Sequence, residues 1–266
     1  MQLPKNLFKQ KLIAGELQFG VWHSLGGPAV AEMLAVAGYD WILIDTEHSP
    51  VEVTGVLPAL QMIAAYPDTS AIVRPASNDT VLIKRHLDQG AQTLLIPYVQ
   101  NAEEAAEAVA AVRYPPVGRR GVAGLTRASR FGSVPDYARQ AEQELCVIVQ
   151  VETMEAIENL DAISGTDGID AVFIGPADLA ASMGYPGKPN HPAVLDQVRL
   201  ICKRLADKNV RCGILTLNPK FAQECIDMGV DFIASAMDSS LLMKGLAENR
   251  TSLGTKRPQK DGAPRS

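Results

Sequence analysis

The sequence predicts an α/β protein with the architecture of a (β/α)8 TIM barrel. Eight short runs rich in valine and isoleucine alternate with longer amphipathic stretches, the pattern of buried parallel strands covered by helices. Eight strand–helix units in about 250 residues match the size of such a barrel. An open doubly wound sheet is the alternative, but it usually has fewer strands and a glycine-rich turn after the first one. We therefore expect residues 1–250 to form one barrel domain.

Each element of this barrel has its own signal in the sequence. The predicted strands are residues 19–22, 41–45, 71–74, 93–97, 146–151, 171–174, 211–215 and 232–235. Helices are predicted between them, for example at residues 28–37, 80–89 and 102–112. Gly38, Gly90 and Gly229 suit the ends of three helices, because glycine readily adopts the left-handed conformation of a helix C-cap.

Three segments depart from the plain repeat. Residues 114–135 form an insertion rich in arginine and glycine, and residues 178–191 separate the sixth strand from its long helix. Insertions of this length are often binding loops. Residues 251–266 are polar and carry a net charge of +3, from four Lys or Arg less Asp261, and are predicted to form a flexible tail.

Composition excludes several classes of protein. The chain has 266 residues, 47% of them hydrophobic and 21% charged, which indicates a globular protein. With 25 Lys and Arg against 30 Asp and Glu, the net charge of -5 is a poor match to nucleic acid or an anionic membrane. We find no uncharged apolar stretch long enough for a membrane span or signal peptide, and four cysteines without zinc-type spacing, so we expect reduced thiols in a cytoplasmic protein.

The absence of several sequence motifs limits the reactions that the protein could catalyse. The sequence contains no Gly-x-Gly-x-x-Gly and no P-loop, so no nucleotide cofactor is predicted. None of the eleven lysines ends a predicted strand, which leaves a Schiff-base mechanism without an obvious nucleophile. A Gly-x-Ser-x-Gly elbow is also missing, and no cysteine lies beside a strand-end histidine. Metal-assisted abstraction of a proton next to a carbonyl group fits the remaining residues.

Polar residues collect at the C-terminal ends of the predicted strands, where barrel enzymes carry out their chemistry. Glu152 and Asp178 follow neighbouring strands, which lie about 4.8 Å apart, so both carboxylates can reach one hard divalent cation. Such a site would leave coordination positions open for a substrate. The alternative is that each carboxylate caps the helix that follows it.

An arginine and a histidine end two further strands. Arg74 has a permanent charge and a fork of donors suited to a carbonyl oxygen that becomes an enolate, although a salt bridge to a barrel acid is the alternative. His48 lies three residues after Asp45 and could act as a general base beside that carboxylate. The alternative for His48 is a polar side chain on a loop, which is also how we interpret the other histidines.

Two further segments could bind anions. In Gly175-Pro176-Ala177-Asp178, a tight turn and a proline begin a short helix whose backbone N–H groups could hold a substrate carboxylate. The insertion contains a cluster of arginines, which could bind a second anionic group or form a solvated loop or a subunit contact. These arginines are Arg113, Arg119, Arg120, Arg127 and Arg130.

From about residue 20 to residue 246 the chain resembles the HpcH/HpaI family of metal-dependent (class II) pyruvate aldolases. This family includes 4-hydroxy-2-oxoheptanedioate, 2-keto-3-deoxy-sugar-acid and hydroxy ketoacid aldolases. Several motifs in the right order carry the resemblance. They are Asp45-Thr-Glu-His48, Val73-Arg74-Pro75, the stretch from Leu87-Asp88 to Pro97, Val149-Gln150-Val-Glu152-Thr and Phe173-Ile-Gly-Pro-Ala-Asp-Leu179.

The resemblance implies roles for the metal site and its substrate. Glu152 and Asp178 would bind Mg²⁺, Mn²⁺, Co²⁺ or a similar ion, which pyruvate would chelate. Gln150 would lie nearby, and the turn of Gly175 would present the Ala177 N–H to the substrate carboxylate.

It implies catalytic roles as well. Arg74 would stabilise the enolate oxygen, and His48 would be the base. Asp88, on a predicted helix, would support His48, and Asp45 would help to orient its imidazole. We further expect Trp22, Leu215 and the arginine-rich insertion to line the aldehyde pocket.

The implied reaction is reversible retro-aldol cleavage of a 4-hydroxy-2-oxo acid to pyruvate, or a close analogue, and an aldehyde. The resemblance also implies a homo-hexamer in which dimers exchange the last helix, here residues 239–249, and in which a neighbouring subunit contributes to the site. The alternatives are a lyase of the citrate lyase type that acts on a CoA thioester, and a non-catalytic barrel that binds carboxylates.

Overall fold

A computed structural model describes residues 1–252, and within it eight parallel strands close into a barrel in chain order. The predicted (β/α)8 fold is confirmed. The strands are β1 Gln18–His23, β2 Trp41–Asp45, β3 Ser70–Arg74, β4 Thr93–Ile96, β5 Cys146–Val151, β6 Ala171–Ile174, β7 Cys212–Leu215 and β8 Phe232–Met237.

Helices surround this barrel, and one of them precedes the first strand. They are α1 Leu7–Ala14, α2 Pro28–Val36, α3 Val53–Ile63, α4 Thr80–Asp88, α5 Ala102–Val112, α6 Tyr137–Gln140, α7 Met154–Glu158, α8 Leu160–Ser164, α9 Pro176–Ser182, α10 Pro192–Asp207, α11 Pro219–Asp227 and α12 Asp238–Ser252. Across the described part of the chain, no helix combines the length and the apolar character needed to cross a membrane.

Predicted and observed bounds differ mainly at the strand ends. β2, β5 and β6 have the predicted bounds, whereas β8 continues two residues further, to Met237. That extension follows from pairing, because Met237 lies opposite Trp22 after a shift of register between Gly20 and Val21. The last helix is also longer than expected and includes the first two residues of the predicted tail. The rest of that tail, residues 253–266, lies outside the described residues.

The lower part of the barrel is filled by aromatic side chains. Phe8, on α1, is fully buried and packs edge-to-face on Trp41 and Phe232, with ring centroids 6.3 Å and 5.2 Å away. Above them, Trp22 and Phe173 have ring centroids 5.6 Å apart. The barrel interior is therefore packed with side chains and does not form a channel.

The long segment between α5 and β5 lies at the N-terminal end of the barrel. A helix in a β/α unit runs back from the C-terminal end of one strand to the start of the next, so the connection after α5 must leave at the opposite end from the mouth. Asp88, the last residue of α4, lies at that same end for the same reason.

The last helix is anchored to the first strand at one point. The Asp238 carboxylate accepts hydrogen bonds from the backbone N–H groups of Ser24 and Leu25 and lies 2.9 Å from Nδ1 of His23. All other residues of α12 are at least partly exposed, and its leucines are among the exposed apolar side chains of the chain. α12 therefore extends from the barrel without a core of its own.

Candidate active site

The C-terminal mouth contains a cavity of about 340 Å³. Most of the predicted site residues line it, so the strand ends converge as expected. These residues are Trp22, Asp45, His48, Arg74, Gln150, Gly175, Ala177, Asp178 and Leu215.

Arg74 is held by two carboxylates. Its Nε and Nη2 donate to Oδ1 and Oδ2 of Asp45 at 2.8 Å and 2.7 Å, a bidentate pair made possible because the two residues are register partners at the ends of β2 and β3. Despite burial, these hydrogen bonds and the charge of Arg74 hold the pKa of Asp45 below its usual value. Trp22 Nε1 also donates to Asp45, at 3.3 Å, and the guanidinium lies 5.1 Å from the centre of the Trp22 ring.

Glu47 is a second partner of Arg74, and no sequence motif assigned it a role. Its Oε2 lies 2.8 Å from Nη1 of Arg74 and 4.0 Å from Nε2 of His48. Burial raises the pKa of Glu47 against the opposing charge of Arg74. Its position between Asp45 and His48 in the sequence was the available signal.

Glu152 is fixed by neighbours on two adjacent strands. The backbone N–H of Tyr98, just after β4, donates to Oε1 of Glu152 at 2.9 Å, and Gln150 Nε2 donates to its Oε2. Tyr98 has a φ of 55°, an uncommon conformation for a residue other than glycine. Burial, followed by the charge of Asp178, raises the pKa of Glu152 to about 7. The buried Glu152 thus lies close enough to the half-buried Asp178 for their charges to repel one another.

Gly175 provides the room for this arrangement. A Cβ at this position would lie 2.5 Å from Oε2 of Glu152 and 2.8 Å from Nε2 of Gln150. Any side chain would therefore displace the carboxylate or its amide partner. The glycine is required by the close approach of β5, not by its own backbone angle.

The donor set fits a hard divalent cation. Glu152 and Asp178 supply carboxylate oxygens, and a cation would favour the ionised form of Glu152, which burial and then the charge of Asp178 disfavour. Among residues 1–252 no group of three or more His, Cys, Asp or Glu side chains could share one metal ion. Mg²⁺ commonly binds proteins through one or two carboxylates and takes its other ligands from water and substrate.

The geometry of one chain does not bring Asp88 to His48. His48 follows β2 at the mouth and its side chain is 65% exposed, whereas Asp88 ends α4 at the other end of the barrel. There, Asp88 Oδ1 accepts a hydrogen bond from Arg120 at 3.1 Å. Asp88 therefore does not contact the His48 imidazole of its own subunit. The carboxylate of Asp45 likewise binds Arg74 and Trp22, not the imidazole.

The arginine-rich insertion is also displaced from the mouth. Arg120 is fully buried, with its guanidinium 4.6 Å from the centre of the Tyr114 ring, and Arg113 pairs with Glu142 at 2.6 Å. Because this segment connects α5 to β5, it cannot line the aldehyde pocket of its own subunit. The expectation that the insertion lines the aldehyde pocket therefore does not hold within one subunit.

The fold and the site together define a (β/α)8-barrel enzyme with two neighbouring carboxylates, one buried and one half-buried, and an arginine at its mouth. The profile of the family described as HpcH/HpaI aldolase/citrate lyase matches residues 18–245. The chain belongs to this family.

Relatives and solved structures agree with that assignment. The chain is 57% identical over 245 residues to the pyruvate aldolase of Rhizobium etli, covering 92% of this chain and 96% of the relative. It is 51% identical over 242 residues to the 4-hydroxy-2-oxo-heptane-1,7-dioate aldolase of Salmonella dublin, covering 91% and 92%. The crystal structure of a family protein from Burkholderia cenocepacia superposes with a TM-score of 0.90 at 37% identity, covering 94% and 99%. The expectation of a carbon–carbon lyase of the aldolase class is confirmed.

Proposed function

We propose that the chain is a divalent-metal-dependent aldolase that reversibly cleaves a 4-hydroxy-2-oxo acid to pyruvate, or a close analogue, and an aldehyde. The observation that carries this proposal is the buried carboxylate of Glu152, with the half-buried Asp178 and the guanidinium of Arg74 beside it. A cation would stabilise two acids that repel one another, and a cation next to an arginine suits a reaction that develops negative charge on oxygen.

Glu152 and Asp178 would hold the ion, whether Mg²⁺, Mn²⁺, Co²⁺ or a similar metal. When bound, the ion would act as a Lewis acid that polarises the keto group of the substrate. Gln150, which bridges Glu152 and Arg74, would face the bound 2-oxo acid. The Ala177 N–H in the first turn of α9 would bind the substrate carboxylate.

Arg74 would bind the oxygen on which negative charge develops. Asp45 and Glu47 hold the guanidinium from two sides, so its position is set before the substrate arrives. Preorganised donors stabilise a transition state because little reorganisation is needed when charge forms. Trp22 and Leu215 would bound the substrate beside this group.

His48 would be the general base. Its side chain is exposed at the mouth and lines the cavity, so its imidazole can reach a substrate proton. We further propose that Asp88 supports it from a second copy of the chain, since the Asp88 of the same subunit lies at the other end of the barrel.

The proposed assembly is a homo-hexamer in which α12 is exchanged between paired subunits. Leu241, Leu242 and Met243 on α12 are exposed, and so are Phe19 on the outside of β1 and Met33 on α2. Packing these apolar surfaces against another subunit would remove them from water. We place the enzyme in the cytoplasm, which agrees with the four free, buried cysteines of the described residues.

An NMR time course of pyruvate in D₂O tests the function without a choice of aldehyde. Metal-stripped enzyme should leave the methyl signal unchanged, and restoring Mg²⁺ or Mn²⁺ should cause its progressive loss as deuterium replaces hydrogen. Metal and pyruvate binding without exchange would overturn the proposal in favour of a non-catalytic barrel that binds carboxylates.

A further inference from the structure

We propose that the aldehyde used by this site is uncharged and carries an apolar chain, in contrast to an aldehyde with a distal carboxylate. This inference rests on the proposed aldol function and names its second substrate class. In the reaction, C3 of pyruvate loses a proton and bonds to the aldehyde carbon, whose oxygen gains a proton to become the new hydroxyl group.

The shape of the cavity supports the proposal. From the acids and Arg74 it extends toward β6, β7, α10 and α11. Its volume of about 340 Å³ lies in the range of pockets that hold ligands considerably larger than pyruvate. The added space is therefore available to a second substrate.

The walls of this extension are mainly apolar. Most of the lining consists of Phe173, Leu195, Leu215, Leu217, Phe221 and Met237, and the uncharged Asn190 and Thr216 lie among them. Phe173 and Phe221 are almost fully buried, so their rings present fixed surfaces to the cavity. An alkyl or aryl chain placed there would leave water and contact carbon atoms on several sides.

The charges around the cavity disfavour a distal carboxylate. Of the described residues that line it, only Arg74 and a protonated His48 supply positive charge. Arg74 is already bound by Asp45 and Glu47 at 2.7 Å and 2.8 Å. A carboxylate at the far end of an aldehyde would therefore be desolvated among apolar side chains without a cation.

The nearest arginine behind the wall does not alter this conclusion. The guanidinium of Arg199 lies 5.5 Å from the centre of the Phe221 ring, but it does not line the cavity. It is bound by Glu224 and, at 2.6 Å, by Asp196 on the outside of the barrel. Phe221 thus separates this charge from the proposed substrate chain.

The test compares two aldehydes with the same number of non-hydrogen atoms, hexanal and 4-oxobutanoate, in pyruvate addition by the full-length, metal-loaded enzyme. We expect kcat/KM for hexanal to exceed that for 4-oxobutanoate by about tenfold or more. Within the series from propanal to hexanal, kcat/KM should rise by up to about fourfold for each added methylene. Equal or higher kcat/KM for 4-oxobutanoate would overturn the inference.

Two arginine variants test whether the apolar wall sets this preference. Leu217→Arg places a cation at the half-exposed rim of the cavity and should raise kcat/KM for 4-oxobutanoate relative to hexanal by roughly tenfold. Leu200→Arg, on an exposed position of α10 outside the cavity, should leave the ratio unchanged. An unchanged ratio in a folded Leu217→Arg variant would count against the assigned wall.

The D₂O exchange of pyruvate separates the two possible failures. If exchange is absent, the proposed function itself fails, and the aldehyde preference has no reaction to act on. If exchange proceeds but 4-oxobutanoate is preferred, only the inference about the aldehyde is lost.

Discussion

Asp45 and Arg74 form a bidentate ion pair between the ends of β2 and β3, with donor–acceptor distances of 2.8 Å and 2.7 Å. Both side chains are almost fully buried. Parallel pairing of Asp45 with Arg74 places the two groups side by side before any ligand binds. The pair explains how an arginine can be held in a fixed orientation at a mouth that is otherwise open.

Replacing Arg74 with lysine should lower turnover although the positive charge is kept. Lysine cannot reproduce the planar fork that binds Asp45 and leaves Nη1 directed at Glu47. We expect kcat for aldol cleavage to fall on the order of 100-fold, or ~3 kcal/mol in the barrier. Arg85→Lys, on an exposed part of α4, is the matched control and should retain activity. Near-normal kcat in Arg74→Lys would contradict the role assigned here.

A methyl group at Gly175 should disrupt the proposed metal site. The new Cβ would lie 2.5 Å from Oε2 of Glu152, so the carboxylate must move. We expect Gly175→Ala to weaken Mn²⁺ affinity by roughly tenfold to a hundredfold, as measured by calorimetry. Gly55→Ala, where the nearest atom is a movable Val51 methyl group at 3.1 Å, should bind Mn²⁺ normally. Equal affinities would show that Glu152 is not a ligand.

The stability of the metal-free enzyme should depend on the ionisation of Glu152. The pKa of Glu152 is 4.5 in the unfolded chain and about 7 in the folded protein. Between these two pH values the folded state therefore keeps a proton that the unfolded state has lost. The contribution of Glu152 to the free energy of unfolding is fully present below pH 4.5 and is lost as pH rises through about 7. Glu152→Gln should therefore stabilise the metal-free protein at pH 8 by on the order of 2 kcal/mol, and by much less at pH 5. Urea unfolding of both proteins at pH 5 and pH 8 measures this difference. Equal effects of the substitution at the two pH values would refute this account.

His86 should make the fold sensitive to mild acid. It is fully buried on α4, and neither ring nitrogen has a hydrogen-bond partner among the described residues. Burial, followed by the charge of Arg85, lowers its pKa to about 4 from 6.5. The free energy of unfolding does not depend on the ionisation of His86 above pH 6.5, where the imidazole is neutral in both states. Below pH 6.5 the unfolded chain takes up a proton that the folded protein does not, so stability is lost as pH falls toward 4. His86→Leu should gain about 1–3 kcal/mol at pH 5 relative to pH 7.5. A pH-independent effect on thermal unfolding would contradict this assignment.

Mixed oligomers should reveal whether Asp88 acts across subunits. Chains carrying His48→Ala or Asp88→Ala should each lose most of their activity. If each site combines His48 of one chain with Asp88 of another, random co-assembly restores about a quarter of the sites. The recovery is measured as the activity of the two co-expressed chains. The reference is the activity of the two separately purified variants, mixed under conditions in which their oligomers do not exchange subunits. No recovery in verified mixed oligomers would exclude a shared site.

Local patterns predicted much of the fold. The apolar runs at β2, β5 and β6 gave the observed bounds because both faces of these strands are buried and their sequences change character at each end. The end of β8 was missed because it depends on pairing with β1 across a register shift. Such pairing joins residues more than two hundred positions apart, so no local pattern reports it.

The candidate site, like the fold, was predicted only in part from local sequence patterns. The strand-end rule located Arg74, Glu152 and Asp178 without knowledge of their neighbours. It gave no role to Glu47, which lies beyond a strand and whose contact with Arg74 depends on the turn. It also placed the arginine-rich segment at the mouth, although the order of α5 and β5 already assigns that segment to the opposite end.

The sequence by itself determined the barrel, the family and the acids that end β5 and begin α9, because periodicity and motif spacing are local properties of the chain. Only the tertiary structure decided that Asp45 binds Arg74, that Gly175 makes room for Glu152 and that Asp88 lies away from His48. These relationships depend on closure of eight strands into one sheet, which brings distant residues into contact and fixes the end of the barrel at which each helix terminates.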